Sequence, residues 1–145
     1  MTLLELIIAC AILLILSSAA LPIAKYTVIR QKEAELRRDL REMKDAIDRY
    51  KDTADRNQIR VEIGSEGYPP DLETLVKGVQ LGASSDRKMR FLRKVPVDPM
   101  TGQADWGLRA VQDDPDSTSW GGKNVFDVYS KSTGTALDGT KYSDW

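Results

Sequence analysis

The sequence predicts an α+β chain, with one long N-terminal helix followed by a small head of short helices and strands. Three observations lead there. The first 24 of the 145 residues are almost wholly apolar, and Glu5 is their one charge. From Ile29 onward, apolar residues keep a helical spacing: Ile29, Leu36, Leu40, Met43, Ile47 and Tyr50 lie 7, 4, 3, 4 and 3 residues apart. After Asp55 that period ends, and brief apolar runs alternate with Gly, Pro, Asp and Ser.

Residues 6–24 are 19 uncharged residues, enough at about 1.5 Å each to cross a hydrocarbon core of about 30 Å. A carboxylate just ahead of such a run is unusual. Ionised side chains at bilayer depth cost about 2.5–3.5 kcal/mol even on lenient insertion scales, so one kept there normally has a partner. Pro22 is the only breaker in the rod. It removes one helical hydrogen bond and crowds the preceding turn, so a kink or an unwound stretch is expected around residues 17–22. Beyond it the exposed positions carry opposite charges four apart, as in Glu33/Arg37, Arg38/Glu42, Arg41/Asp45 and Asp45/Arg49, worth about 0.2–0.5 kcal/mol each. The whole rod is about 50 residues, on the order of 75 Å long. Its apolar stripe is expected to pack on the molecule's own head, because its few heptads are too short for a coiled coil.

In the head, residues 58–63 read as a short strand and 64–67 as a turn. A short helix follows from Pro70 or Asp71, closed by Gly78. Residues 89–92 suggest another helical turn, halted before Pro96. Residues 106–111 and 125–129 are further apolar runs, and the second alternates well enough for a strand. The tail, 133–145, is loop-like but ends in Trp145, expected to pin it to the head. Trp106 and Trp120 also read as core and clasp residues. The expected organisation is 1–24 as a transmembrane or filament-core segment, 25–53 as the amphipathic continuation of that helix, and 54–145 as the head.

Composition removes several classes of function. The 21 basic and 22 acidic residues are interspersed and give a net charge of −1, without the one-sided basic surface that nucleic acid requires. There is no histidine, and the single cysteine, Cys10, lies in the apolar run, so neither His chemistry nor an intrachain disulfide is available. No nucleophile elbow or phosphate loop is present, and no enzymatic activity is expected. A secretory signal would want basic residues before its apolar stretch, whereas the first here is Lys25. Lys25, Arg30 and Lys32 flank the far side. By the positive-inside rule a plain anchor would leave the head in the cytoplasm, unless a basic residue has been trimmed from the N-terminal flank. Charge alone leaves the topology open.

The opening Thr2-Leu3-Leu4-Glu5-Leu6, at the start of an apolar helix with a proline at 22, resembles the mature N-terminus of the type IV pilin superfamily. Met1 departs from the usual Phe. Further along, Tyr68-Pro-x-x-Leu-x-x-Leu75, Phe91-Leu-x-Lys-x-Pro-x-Asp-Pro99, Phe126-Asp-Val-Tyr-Ser130 and the closing Asp138-Gly139 and Asp144-Trp145 look, in that order, like the G-type major pseudopilin of type II secretion systems. This resemblance implies a lollipop fold, with the second half of the helix packed on a small antiparallel sheet. It also implies a subunit that polymerises into a helical filament acting in protein secretion across the outer membrane. An extracellular type IV pilus for adhesion, motility or DNA uptake is the alternative.

Several further expectations follow from the resemblance. A prepilin peptidase would remove a basic leader and methylate the new amine, so that the numbering begins after cleavage. The subunit would wait in the inner membrane with a periplasmic head, then enter a periplasmic or extracellular filament. Its partners would be other copies of itself, minor pseudopilins and an inner-membrane assembly platform, with no nucleic acid. Glu5 would pair with the Met1 amine of a neighbouring subunit, with Thr2 helping to orient it, and Pro22 would permit unwinding of the core helix. Members commonly bind Ca2+ in the last loop, where Asp138 and Asp144 are the candidate ligands. That loop is shorter here and lacks the usual glycine-rich stretches.

Overall fold

The computed structural model describes residues 2–145. One helix, α1 (Leu3–Asp55), carries a head containing α2 (Leu72–Lys77), two short antiparallel ladders and a closing 3₁₀ turn (Tyr142–Asp144). Strands β1 (Val79–Gln80) and β2 (Lys88–Met89) form one ladder, while β3 (Gly107–Arg109) and β4 (Asp127–Tyr129) form the other. The expected α+β lollipop is present, with two separate ladders in place of one sheet.

The second half of α1 is the floor of the core. Leu36, Leu40, Met43, Ala46, Ile47 and Tyr50 are buried against Leu72, Leu75, Phe91, Leu92, Trp106, Val125 and Val128. The stripe therefore packs on its own head, as its spacing predicts, though Ile29 at its start is only partly covered. Tyr50 meets Phe91 edge to face with ring centroids 5.3 Å apart. The helix ends in a Schellman arrangement. Asn57 takes a positive φ of 56°, its N–H donates to the Ala54 carbonyl, and the Gln58 N–H reaches back to Thr53.

The family-like motifs of the head are structural joints. Asp71 caps α2 by accepting from the Thr74 N–H at 2.7 Å, and Gly78 follows the helix with φ 82°. A β-carbon on Gly78 would lie 2.7 Å from the Met89 carbonyl oxygen, so the close approach also requires glycine. Buried Pro69 accepts from the Val125 N–H at 2.7 Å, and Trp106 Nε1 donates to the Pro96 carbonyl at 2.9 Å. Asp98 is wholly buried; it accepts from Ser130 Oγ at 2.5 Å and from the Met100 N–H at 2.8 Å, tying two motif segments together. The Tyr129 ring lies over Gly107, where any β-carbon would collide with it, and the Arg109 guanidinium stacks 4.0 Å from its centroid.

Two local expectations fail. Residues 58–63 form turns and open chain instead of a strand. Among the described residues their alternation has no ladder to join: only Ile59 is buried, Ile63 is fully exposed, and backbone bonds to other segments are made only at the ends, as in Gly82 N–H to Gln58 O. Residues 89–92 are not helical either. Met89 belongs to β2, and the amides of Phe91 and Leu92 both donate to the Leu75 carbonyl, so they cannot serve a local helical turn. Of the kink or unwound stretch expected around residues 17–22, the unwound stretch is absent, since α1 is helical throughout them.

Candidate functional site

Thr2 stands just ahead of α1 in extended conformation and caps it. Its Oγ1 accepts from the Glu5 N–H at 3.2 Å, and Glu5 Oε2 accepts from the Thr2 N–H at 3.5 Å. This is a capping box, legible in Thr2-x-x-Glu5 but missed when Glu5 is considered only as a charge in an apolar setting. The return bond to Glu5 is at the long limit for a hydrogen bond. Among the described residues no cation comes within ion-pairing distance of the Glu5 carboxylate. Met1, the other half of the expected contact, lies outside the described residues.

Every residue from 2 to 28 is exposed, including Leu3, Leu4, Leu6, Ile7, Ile8, Ile12, Leu13 and Leu14. Among the described residues α1 is the one helix long and apolar enough to cross a membrane, and none of its apolar window is buried in the molecule. The rod is thus built for an apolar surrounding that this chain alone does not supply. Two of its hydroxyls are satisfied within the helix. Ser18 Oγ donates to the Ile15 carbonyl at 2.7 Å and Thr27 Oγ1 to the Ile23 carbonyl at 3.1 Å, so neither hydroxyl needs water. Pro22 has no amide to offer the Ser18 carbonyl one turn back, which leaves that turn the weakest of the rod.

The tail is clasped onto α1 at the end of the buried stripe nearest the apolar run. Glu33 is buried, and its Oε1 accepts from the Tyr142 hydroxyl at 3.0 Å and the Leu137 N–H at 2.9 Å. Burial, reinforced by the Glu33 bond, raises the Tyr142 phenol above its ordinary 10.0. Arg37 spreads its guanidinium 4.0 Å from the Trp145 ring centroid and 3.6 Å from Asp138 Oδ2. Trp145 Nε1 donates to Thr140 Oγ1 at 2.7 Å and its ring meets Tyr142 edge to face, so the tail is pinned as expected.

Asp138 and Asp144, the calcium candidates, do not fit a hard cation as placed. Asp138 Oδ1 accepts both the N–H and the hydroxyl of Thr140, at 2.9 and 2.6 Å, and its Oδ2 faces the positive Arg37. The Thr140 bonds, chiefly that from its hydroxyl, hold the Asp138 carboxyl below its ordinary 3.8. Asp144 is exposed in the 3₁₀ turn. Among the described residues no group of three or more Asp, Glu, His or Cys side chains is gathered to share an ion, where a calcium shell wants six to eight oxygens. In the acidic loop, Asp113 instead closes a turn by accepting from the Ala110 and Gly121 N–H groups at 2.7 and 3.0 Å, which hold its carboxyl below 3.8. Asp39 is a different kind of acid: buried on α1, its one cationic neighbour is Arg38 at 3.5 Å, and desolvation raises its carboxyl above 3.8.

Comparison with models of known protein families, with curated proteins and with solved structures finds no match.

Proposed function

We propose that this chain is a structural subunit of pseudopilin type. It polymerises through its N-terminal helices into a filament that acts in type II protein secretion across the outer membrane. One observation carries the reading: among the described residues, a carboxylate held only by its own N-cap amide tips a helix whose apolar first half stays exposed. Both deficits are met by the same partner, further copies of the same helix.

The resemblance of the N-terminal and head motifs to pseudopilins supplies the expected sequence of events. A prepilin peptidase trims a leader and methylates the Met1 amine. The subunit waits in the inner membrane with its head in the periplasm, its leucines and isoleucines satisfied by lipid. An assembly platform and minor pseudopilins then admit it to the filament, where neighbouring helices replace lipid around the same side chains. In that setting the terminal amine of a neighbouring subunit, a cation in water with a reference pKa of about 8, is the counter-charge on offer at the depth of Glu5. It offers Glu5 a charge-assisted hydrogen bond, roughly twice as strong as a neutral one, in place of the long bond to Thr2. Breaking a buried pair is costly, so the contact fixes subunit register more than it adds stability. The weak turn at Pro22 is where the helix can lengthen as it packs.

Electron microscopy of producing cells and of the purified chain tests this. Short fibres confined to the envelope, and fibres from the pure protein, are expected. Long surface fibres would assign the chain to a pilus, and a strictly monomeric protein in and out of detergent would overturn the filament reading.

A further inference from the structure

Immediately after the apolar run, Lys25, Arg30 and Lys32 are exposed, and none enters an ion pair among the described residues. No acidic residue lies between Glu5 and Glu33. Glu33 is turned into the clasp, where its Oε1 accepts from Tyr142 and Leu137, and it forms no ion pair with them. The next acid, Glu35, faces Arg38. Three positive charges without an ion-pair partner among the described residues therefore sit within eight residues, in a protein whose net charge is −1.

Their placement is not that of an ordinary solvated face. Lys25 and Lys32, seven residues apart, share one side of the helix, while Tyr26 and Arg30, four apart, share another. Together they span about 10 Å of the axis, beginning where a run of about 30 Å of apolar helix ends. That is the depth of a lipid headgroup layer, within reach of long basic side chains that run their stems back along apolar surface. Tyr26, more than half exposed, supplies the amphipathic ring typical of that level.

We propose that Lys25, Arg30 and Lys32, with Tyr26, form a collar that binds anionic phospholipid headgroups of the leaflet facing the head. The collar sets the depth at which the subunit is stored and gathers acidic lipid around it. Basic residues beside a membrane surface attract anionic lipid individually and additively, and salt screens them. This inference rests on the membrane-storage step of the proposed function, and the test separates the two.

The full-length protein is reconstituted into phosphatidylcholine bilayers carrying a trace of spin-labelled phosphatidylglycerol or spin-labelled phosphatidylcholine. The fraction of each label immobilised on the protein is then measured. Phosphatidylglycerol is expected to be preferred by at least about threefold, with the preference falling in high salt. The variant K25Q/R30Q/K32Q is expected to bring it to parity, while K123Q, on the head, leaves it unchanged. Near-ultraviolet circular dichroism of the head confirms that the triple variant is folded. Equal immobilisation of both lipids by the wild type, or an unchanged preference in the triple variant, overturns the collar alone. A triple variant that keeps its lipid preference but no longer self-associates would assign these cations to a second copy, and so overturn it too. Failure of the wild type to float with any vesicle would overturn membrane storage and the collar together.

Discussion

Residues 2–28 and residues 33–54 belong to one helix, yet the first set stays exposed along its length while the second contributes ten buried side chains. The first half is apolar around its whole circumference, and the second is apolar on one side only. A one-sided stripe is satisfied by a single small head. An all-round apolar surface can be satisfied only by a surrounding medium, lipid or a ring of like helices. The same α-helix thus changes near Ile29, where coverage begins, from a rod left exposed by the described residues to one packed on its own head.

The largest effect expected from this contrast is on stability. Met43→Ala or Ile47→Ala should destabilise the head by about 2–5 kcal/mol in urea titrations, since both side chains are fully buried. Ile8→Ala or Leu13→Ala should leave that titration within about 0.5 kcal/mol of wild type. Equal losses from the two halves would erase the distinction. Next comes the clasp. Glu33→Leu leaves the buried Tyr142 hydroxyl and the Leu137 N–H without their acceptor, a loss of about 1–3 kcal/mol for each group left unsatisfied. Protease should then cut the 133–145 tail faster.

A smaller effect of opposite sign is expected at Asp39. Its folded-state pKa is raised above 3.8, so its contribution to stability is fully present below that value and is lost as pH rises through the folded pKa. Asp39→Asn should therefore stabilise the head near neutral pH and flatten the gain of stability on acidification, both read in urea titrations across pH. The smallest effect should come from calcium. With Asp138 engaged by Thr140 and Arg37, neither excess Ca2+ nor a chelator should move the melting temperature by more than about 1 °C; a shift of several degrees would show a site elsewhere.

Sequence reasoning reached the long elements and the capped ones. The α1 stripe, α2 between Asp71 and Gly78, and β4 all carry periodicity or stop signals in their own residues. What it missed depends on partners distant in the chain. Residues 58–63 alternate like a strand, but no ladder passes beside them. Residues 89–92 look helical until the Leu75 carbonyl claims two of their amides. At the candidate site, the apolar rod and the isolated Glu5 were visible in the sequence, and so was Thr2-x-x-Glu5 once read as a cap. The clasp of Glu33 with Tyr142 was not, because the two lie 109 residues apart and meet only in the folded head.

The most direct measurement is the elongation rate of fibres from purified subunits carrying Glu5→Leu, compared with wild type at equal concentration. A carboxylate satisfied only by the neighbouring copy's amine requires that the variant, although more apolar and equally well folded, elongate far more slowly or with an altered axial stagger. Elongation at the wild-type rate and stagger would mean that Glu5 does no more than close its own capping box.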